Sequence, residues 1–239
     1  MSRVSIVIPF YNCPYIDQAI ESALNQTYPN IEVIVVNDGS TEYTEKLTPF
    51  LKRIVYVEKG NGGTASALNL GILNATGDYI AWLSSDDLYY KDKVSKQLNF
   101  MRQKNTPISY TNFSLINENT HVFSEFAGKY FMDKISFLQF LLVSNPINGC
   151  TVMMNKKIFS EIGFFNEKLK FTQDYDFWLR AVQHYEFFYM HEALVKYRIH
   201  NQMGTQRFHE ILIKEFEMIK QRYDSAIGKL ITKEMDLHN

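Results

Sequence analysis

Four short runs dense in Val, Ile and other apolar residues, at positions 5–9, 31–36, 54–57 and 79–83, alternate with segments of helical spacing through the first hundred residues. No other feature constrains the chain as much. A strand that reads as a nearly continuous apolar run is buried on both faces, and helices returning between such strands supply the cover. The alternation predicts an α/β fold built on a parallel sheet of βαβ units.

The first helical segment opens with Asn12-Cys13-Pro14, a cap and an early proline, sets Ile16, Ala19, Ile20, Ala23 and Leu24 on one face, and stops before Pro29. A second spans residues 64–73, and Gly77 breaks the chain ahead of the fourth run. In open α/β sheets ligands bind outside the carboxyl ends of the strands, where loops and helix N-termini gather. Three of those tips carry chemistry: Phe10-Tyr11-Asn12, Asn37-Asp38-Gly39 and Ser85-Asp86-Asp87.

The second half changes character. Residues 108–115 and 121–126 read as strands of a mixed sheet, 134–143 as a helix, 150–154 as a strand, 156–162 as a short helix ending at Gly163, 174–184 as a helix opened by acidic residues, and 187–199 as strand-rich. From 209 to 230 the spacing of Leu212, Phe216, Ile219, Tyr223 and Ile227 is helical. With 46% of residues hydrophobic, disorder is not expected. Lys and Arg total 25 against 26 Asp and Glu, so there is no global positive field to hold a nucleic acid. The apolar stretch at positions 4–8 is too short for a signal h-region, no run reaches membrane-spanning length, and two cysteines, Cys13 and Cys150, are no disulfide framework. A cytoplasmic location is expected.

Each polar tip has two readings. Asp86-Asp87 follows an apolar strand, so its carboxylates emerge at the sheet edge, where Mg²⁺ or Mn²⁺ could take them together with substrate phosphates and water; the alternative is a helix cap. Asp38 either shapes a turn or accepts a hydrogen bond from a nucleobase or ribose, and Tyr11 either packs or stacks on a base. Gly60-Asn61-Gly62-Gly63 could bring backbone amides to a ligand, although it lacks both the dinucleotide and the P-loop spacing. Asp174 and Asp176 read in isolation as dipole-compensating residues, and His200 as an ordinary histidine.

The order of these motifs is more specific than any one of them. Ser5-Ile6-Val7-Ile8-Pro9-Phe10-Tyr11-Asn12, Glu32-Val33-Ile34-Val35-Val36-Asn37-Asp38-Gly39-Ser40-Thr41, Gly62-Gly63-Thr64-Ala65-Ser66-Ala67-Leu68-Asn69-Leu70-Gly71-Ile72, Asp86-Asp87, Thr172-Gln173-Asp174-Tyr175-Asp176-Phe177-Trp178 and Tyr197-Arg198-Ile199-His200 follow one another as in glycosyltransferase family 2, which the chain resembles over residues 3–201. The resemblance implies a GT-A fold: a Rossmann-like, mostly parallel sheet flanked by helices, with a fused mixed acceptor-side sheet and a C-terminal helix. Residues 1–104 would be the nucleotide-sugar half, 105–204 the acceptor and catalytic half, and 205–239 a helical extension. It also implies that Pro9, Tyr11 and Asp38 contact the nucleobase, Gly62 the donor, and Asp86 the ribose or diphosphate. Asp87 would be the main carboxylate to Mn²⁺ or Mg²⁺, with His200 completing the metal or diphosphate site and Asp174 acting as general base. Two positions depart from the family pattern, Ser84 at the leading aspartate of the metal motif and Gln173 at the glutamate before the base.

The expected function is thus inverting transfer of a sugar from a nucleotide diphosphate donor, UDP-linked by preference, to a hydroxyl of a saccharide or lipid-linked acceptor in polysaccharide assembly at a bacterial cell envelope. A sugar nucleotidyltransferase would need a Gly-rich basic loop where Phe10-Tyr11-Asn12-Cys13-Pro14 stands, and a non-catalytic nucleotide-binding module would account for Ser84 and Gln173. The C-terminal helix has two uses at this point, packing across the domain or peripheral contact with a membrane that carries a lipid-linked acceptor. Arg198 and His200, two residues apart on an extended run, are expected side by side against the diphosphate.

Overall fold

The computed structural model describes residues 1–201, 203 and 209–237, and among these nine strands form one sheet. Strands β1 (Val4–Phe10), β2 (Ile31–Asp38), β3 (Val55–Lys59) and β4 (Tyr79–Trp82) are parallel, in the order β3-β2-β1-β4. Their pleat divides the apolar runs between two layers of helix. Ile6, Ile8, Val33 and Val35 pack with α1 (Ile16–Leu24) and α3 (Lys93–Lys104), while Val7, Ile34 and Val36 pack with α2 (Thr64–Asn74). Gly71 lets α2 lie against β1, since a Cβ there would stand 2.3 Å from Val7 Cγ1.

The sheet continues without a break into the second half, where the expected mixed pairing occurs. Strand β8 (Met153–Asn155) runs antiparallel to β4 and to β6 (Ile108–Ile116); β6 pairs in parallel with β9 (Phe188–Arg198), and β7 (Val122–Ser124) folds back on β6. The two-residue β5 (Leu88–Tyr89) closes the edge on β9. Helices α4 (Lys134–Leu141), α5 (Lys157–Ile162) and α6 (Gln173–Ala181) precede β9, and α7 (His209–Leu237) follows it.

Several boundaries differ from the sequence reading for local reasons. The expected strand at 150–154 starts late because Asn148 Oδ1 accepts from the Cys150 amide and folds Gly149–Thr151 into a 3-10 turn. The expected strand at 121–126 shrinks to three residues at a register shift opposite Leu115 and Ile116. Both cysteines are buried free thiols. Helix α7 packs on α4 and α6: the Phe216 ring stacks on Tyr175 at 4.7 Å, and Ile219 and Ile227 are fully buried. Of the expected extension, residues 205–208 and 238–239 lie outside the described residues. No described helix is long and apolar enough to cross a membrane.

Candidate functional site

Because β1, β2 and β4 are parallel, Phe10, Asp38 and Trp82 end at one edge of the sheet. The loops leaving them border a cavity of about 740 Å³, closed on the other side by residues 167–171 and 173 and by the chain after β9. Pro9, Tyr11, Asp38, Gly62, Asp86 and His200 all line it. Asp87 and Asp174 are not among its lining residues, although Gln173, next to Asp174, is.

The first two tips are stitched together. Asn12, at φ 44°, accepts from the Thr41 and Glu42 amides through Oδ1, and its own amide donates to Ser40 Oγ. Tyr11 is left 55% exposed at the cavity, its ring free to stack. Asp38 is buried, and three donors hold it: Lys59 Nζ at 2.7 Å and the Gly62 amide at 2.9 Å on Oδ1, and the Gly63 amide at 2.8 Å on Oδ2. A carboxylate has about four acceptor positions, so one on Oδ2 has no donor among the described residues. A Cβ on Gly62 would come within 2.6 Å of Lys59 Nζ and 2.8 Å of Ser66 Oγ, so a side chain there would have to displace both groups. The turn after β2 is shaped by Asn37, whose Oδ1 accepts the Ser40 amide at 2.8 Å, while Asp38 holds the Gly62–Gly63 loop.

At the β4 tip the two aspartates face opposite ways. Asp86 lines the cavity and its Oδ2 lies 2.9 Å from His200 Nε2. Asp87 is 1% exposed: Oδ1 accepts the Arg198 amide at 2.8 Å and Oδ2 the Cys150 thiol at 3.2 Å. Burial, then the neighbouring charge of Asp86, push its carboxyl well above the usual range. Asp87, expected as the main metal carboxylate with His200 beside it, is thus turned away from the cavity. The partner of His200 is Asp86, and Asp87 anchors the β4 tip to β9. Neither caps a helix, since α3 begins only at Lys93.

Arg198 also departs from expectation. It is fully buried, its Nε donates to the Asp86 carbonyl, its Nη atoms to the Asn117 and Glu118 carbonyls, Thr120 Oγ1 and Gln18 Oε1, and its guanidinium lies 4.2 Å from the Tyr15 ring. The expectation that alternation sets Arg198 and His200 side by side against a diphosphate fails, because Arg198 turns inward and clamps the backbone of Asp86. Tyr15 meets His200 edge-on at 5.6 Å, so the Asp86–His200 pair is braced from both sides.

Asp174 sits in the first turn of α6, half-buried, with Oδ2 accepting from Asn145 Nδ2 at 2.9 Å and Oδ1 from the Tyr175 amide at 2.8 Å. Burial lifts its carboxyl to about 6 against these hydrogen bonds. Tyr197 lines the cavity, and burial, then the charges of Asp87 and Asp86, push its hydroxyl up. Gln173 is 5% exposed, lines the cavity, and leaves Oε1 without a partner among the described residues. A buried acceptor with no donor asks for one from outside.

Sequence reasoning missed several residues. Lys59, the counter-ion of Asp38, lies on an edge strand where a lysine needs no explanation. Trp82 lines the cavity floor, and its ring fits only because Gly149 has no Cβ, which would stand 2.2 Å from Cζ3. Asn145, Lys168 and Lys170 lie in loops without periodicity. Ser84, which departs from the metal motif, is absorbed by Cys150: its amide donates to Sγ at 3.2 Å, and its Oγ also lies 3.2 Å from Sγ, whose one proton goes to Asp87.

Comparison with known proteins gives three concordant findings. The family described as glycosyl transferase family 2 matches residues 5–163. An uncharacterized glycosyltransferase of Rickettsia typhi is 39% identical over 238 residues, covering 97% of this chain and 74% of that protein, whereas the chain spans 34% of a Rickettsia bellii relative that is 38% identical. A Bacillus subtilis glycosyltransferase named for teichuronic acid biosynthesis is 33% identical over 83% of this chain and 79% of its own length. Among solved structures, S. aureus TarS aligns with a TM-score of 0.68 at 19% identity over 88% of this chain and 38% of TarS, and its fragment 1–349 in complex with UDP-GlcNAc gives 0.67 at 18% over 88% and 64%. At that identity the likeness is one of fold.

Proposed function

Because the chain belongs to glycosyltransferase family 2, we propose that it is an inverting transferase that moves a sugar from a UDP-sugar to a hydroxyl of a saccharide or lipid-linked acceptor. The observation that carries this reading is the convergence of Tyr11, Asp38, Gly62, Asp86 and His200 on one cavity, with Asp174 in the first turn of the helix at its wall. The Tyr11 ring and the open position on Asp38 suit a pyrimidine, the ring by stacking and the carboxylate by accepting the imide hydrogen. UDP-GlcNAc bound to the fragment of TarS makes uridine the first nucleotide to try.

The donor set at Asp86 and His200 fits a divalent cation. Among the described residues no cluster of three His, Cys, Asp or Glu could hold a metal, but Mg²⁺ and Mn²⁺ at phosphates take one or two protein groups and complete their shell with phosphate oxygens and water. Mn²⁺ or Mg²⁺ bound there would neutralise the charge that develops on the departing diphosphate. The chain's own residues do the rest. Asp174 takes the proton of the acceptor hydroxyl as its oxygen bonds to the anomeric carbon, while the bond from that carbon to the diphosphate oxygen breaks and its electron pair leaves with the diphosphate. One displacement inverts the anomeric centre. A carboxyl at about 6 is ionised at neutral pH yet more basic than an ordinary aspartate, which suits a general base.

Acceptor identity, peripheral membrane contact and a role in envelope polysaccharide assembly belong to this proposal, the last supported by the teichuronic acid relative. A donor screen with the purified chain and Mn²⁺, read by nucleotide release with and without saccharide acceptors, tests it. Release from at least one UDP-sugar, stimulated by acceptor, is expected. Tight nucleotide binding without release from any sugar would identify a binding module instead.

A further inference from the structure

The wall of the cavity that carries Lys168, Lys170 and Phe171 is the loop between α5 and α6, and two helices pin it. At its start Asn69 of α2 exchanges hydrogen bonds with the backbone of Phe165, donating to its carbonyl at 2.9 Å and accepting from its amide at 3.0 Å. At its end Glu215 of α7 accepts from three successive amides, Lys170 at 2.7 Å, Phe171 at 3.0 Å and Thr172 at 3.2 Å, and from Thr172 Oγ1 at 2.9 Å. Thr172 precedes α6 directly, and its hydroxyl makes no cap within its own helix. The carboxylate of a distant helix therefore holds the backbone leading into Gln173 and Asp174.

We propose that Glu215 is a positioning residue for the transfer reaction, fixing residues 170–172 so that Asp174 meets the acceptor hydroxyl; this rests on the glycosyltransferase reading above. Successive backbone N–H groups form a concavity that binds an anion, and a carboxylate, with two oxygens, can satisfy four donors where an amide, with one, cannot. The anchorage is local. Helix α7 stays docked without Glu215, through the Phe216–Tyr175 stack, the buried Ile219 and Ile227, and the Tyr223 hydroxyl donating to Asp176 Oδ1 at 3.1 Å. A displaced loop moves the base relative to the substrate while leaving the nucleotide contacts of β1 and β2 in place.

The test uses the full chain as wild type, Glu215→Gln and, as a control on the same helix, the exposed Glu217→Gln. In Glu215→Gln, amide exchange over Lys170, Phe171 and Thr172 rises about tenfold or more while the amides of β1 and β2 keep their protection. UDP release from the most active of a panel of UDP-sugars falls on the order of tenfold to a hundredfold in kcat, with the donor KM and the Kd for UDP within about twofold of wild type. Glu217→Gln changes none of these. Faster local exchange with unchanged kcat overturns the proposal, as does a kcat loss matched by loss of UDP binding and of protection across the sheet, which marks a merely structural residue. Absence of UDP release from wild type with every donor overturns the functional reading and the inference with it. Activity in wild type and in Glu215→Gln alike overturns the inference alone.

Discussion

Asp174 illustrates how one side chain carries opposite demands. Its carboxyl, lifted to about 6 by burial, holds its proton more tightly in the folded chain than in the unfolded one, where an aspartate titrates near about 4. Between those values stability rises as pH falls, and above about 6 the ionised group is a fixed cost to the fold. Rate should have the opposite sign: below about 6 the proposed base is protonated, and kcat/KM should fall about tenfold per pH unit. Asp174→Asn should therefore lose transfer by orders of magnitude while binding UDP normally and melting no lower than wild type at pH 7.5, where it lacks the ionised group. Transfer near the wild-type rate, or a lowered melting temperature with lost UDP binding, would remove Asp174 from the role of base. The Asp86–His200 pair and Asp87 separate in a similar way. His200→Ala should raise the Mn²⁺ concentration for half-maximal activity about ten- to a hundredfold. Asp87→Ala, which strips the acceptor from the Arg198 amide and the Cys150 thiol, should cost about 1–3 kcal/mol of stability and leave the Mn²⁺ midpoint of the folded fraction unchanged. Denaturant melts and metal titrations of the two variants decide it, and a Mn²⁺ midpoint raised in Asp87→Ala but not in His200→Ala would restore Asp87 as the ligand.

Elements were more legible than the side chains they present. The apolar runs that became β1, β2 and β4 stand out because both their faces are buried, and the glycines, prolines and polar tips between them mark the ends. Element existence in the second half was also readable, because α6 and α7 keep a helical spacing and β9 is long. What the sequence hid were elements too short for any period, such as β5 and the 3-10 helix Thr44–Phe50, and orientations that depend on a distant partner. Asp86 and Asp87 are adjacent and alike in sequence. Which of them faces the cavity is decided by Arg198 and Cys150, more than sixty residues away, whose amide and thiol draw Asp87 inward. Arg198 and His200 are two residues apart in sequence, yet β9 ends at Arg198, so the two-residue alternation stops applying where it was needed. The first and last thirds of the site were thus named from motif order, and their mutual geometry came only from the fold.

At the scale of the whole molecule the parallel half brings the groups proposed to hold the nucleotide to one edge, and the mixed half with α7 supplies the opposing wall. A ligand that spans both should stabilise the chain as a unit, because anything that binds only the folded state adds stability in proportion to RT ln(1 + [L]/Kd), about 2.7 kcal/mol at a hundredfold excess over Kd. The identity of that ligand can be read from the same quantity. Asp38 is already saturated on Oδ1 by Lys59 and the Gly62 amide, so a base gains from it only through the open position on Oδ2. The imide N–H of uracil offers a single donor suited to one open position, whereas guanine presents two adjacent donors, and the second would be left without a partner on Asp38. Uridine diphosphate with Mn²⁺ should therefore raise the melting temperature more than guanosine diphosphate at equal concentration. In Asp38→Ala the uridine shift should largely vanish, partly because the Gly62–Gly63 loop loses its anchor, while His200→Ala should keep the shift seen without metal and lose the increment that Mn²⁺ adds. A larger shift with guanosine diphosphate would overturn the uridine assignment and leave the rest of the site standing, since Asp86, His200 and Asp174 do not read the base.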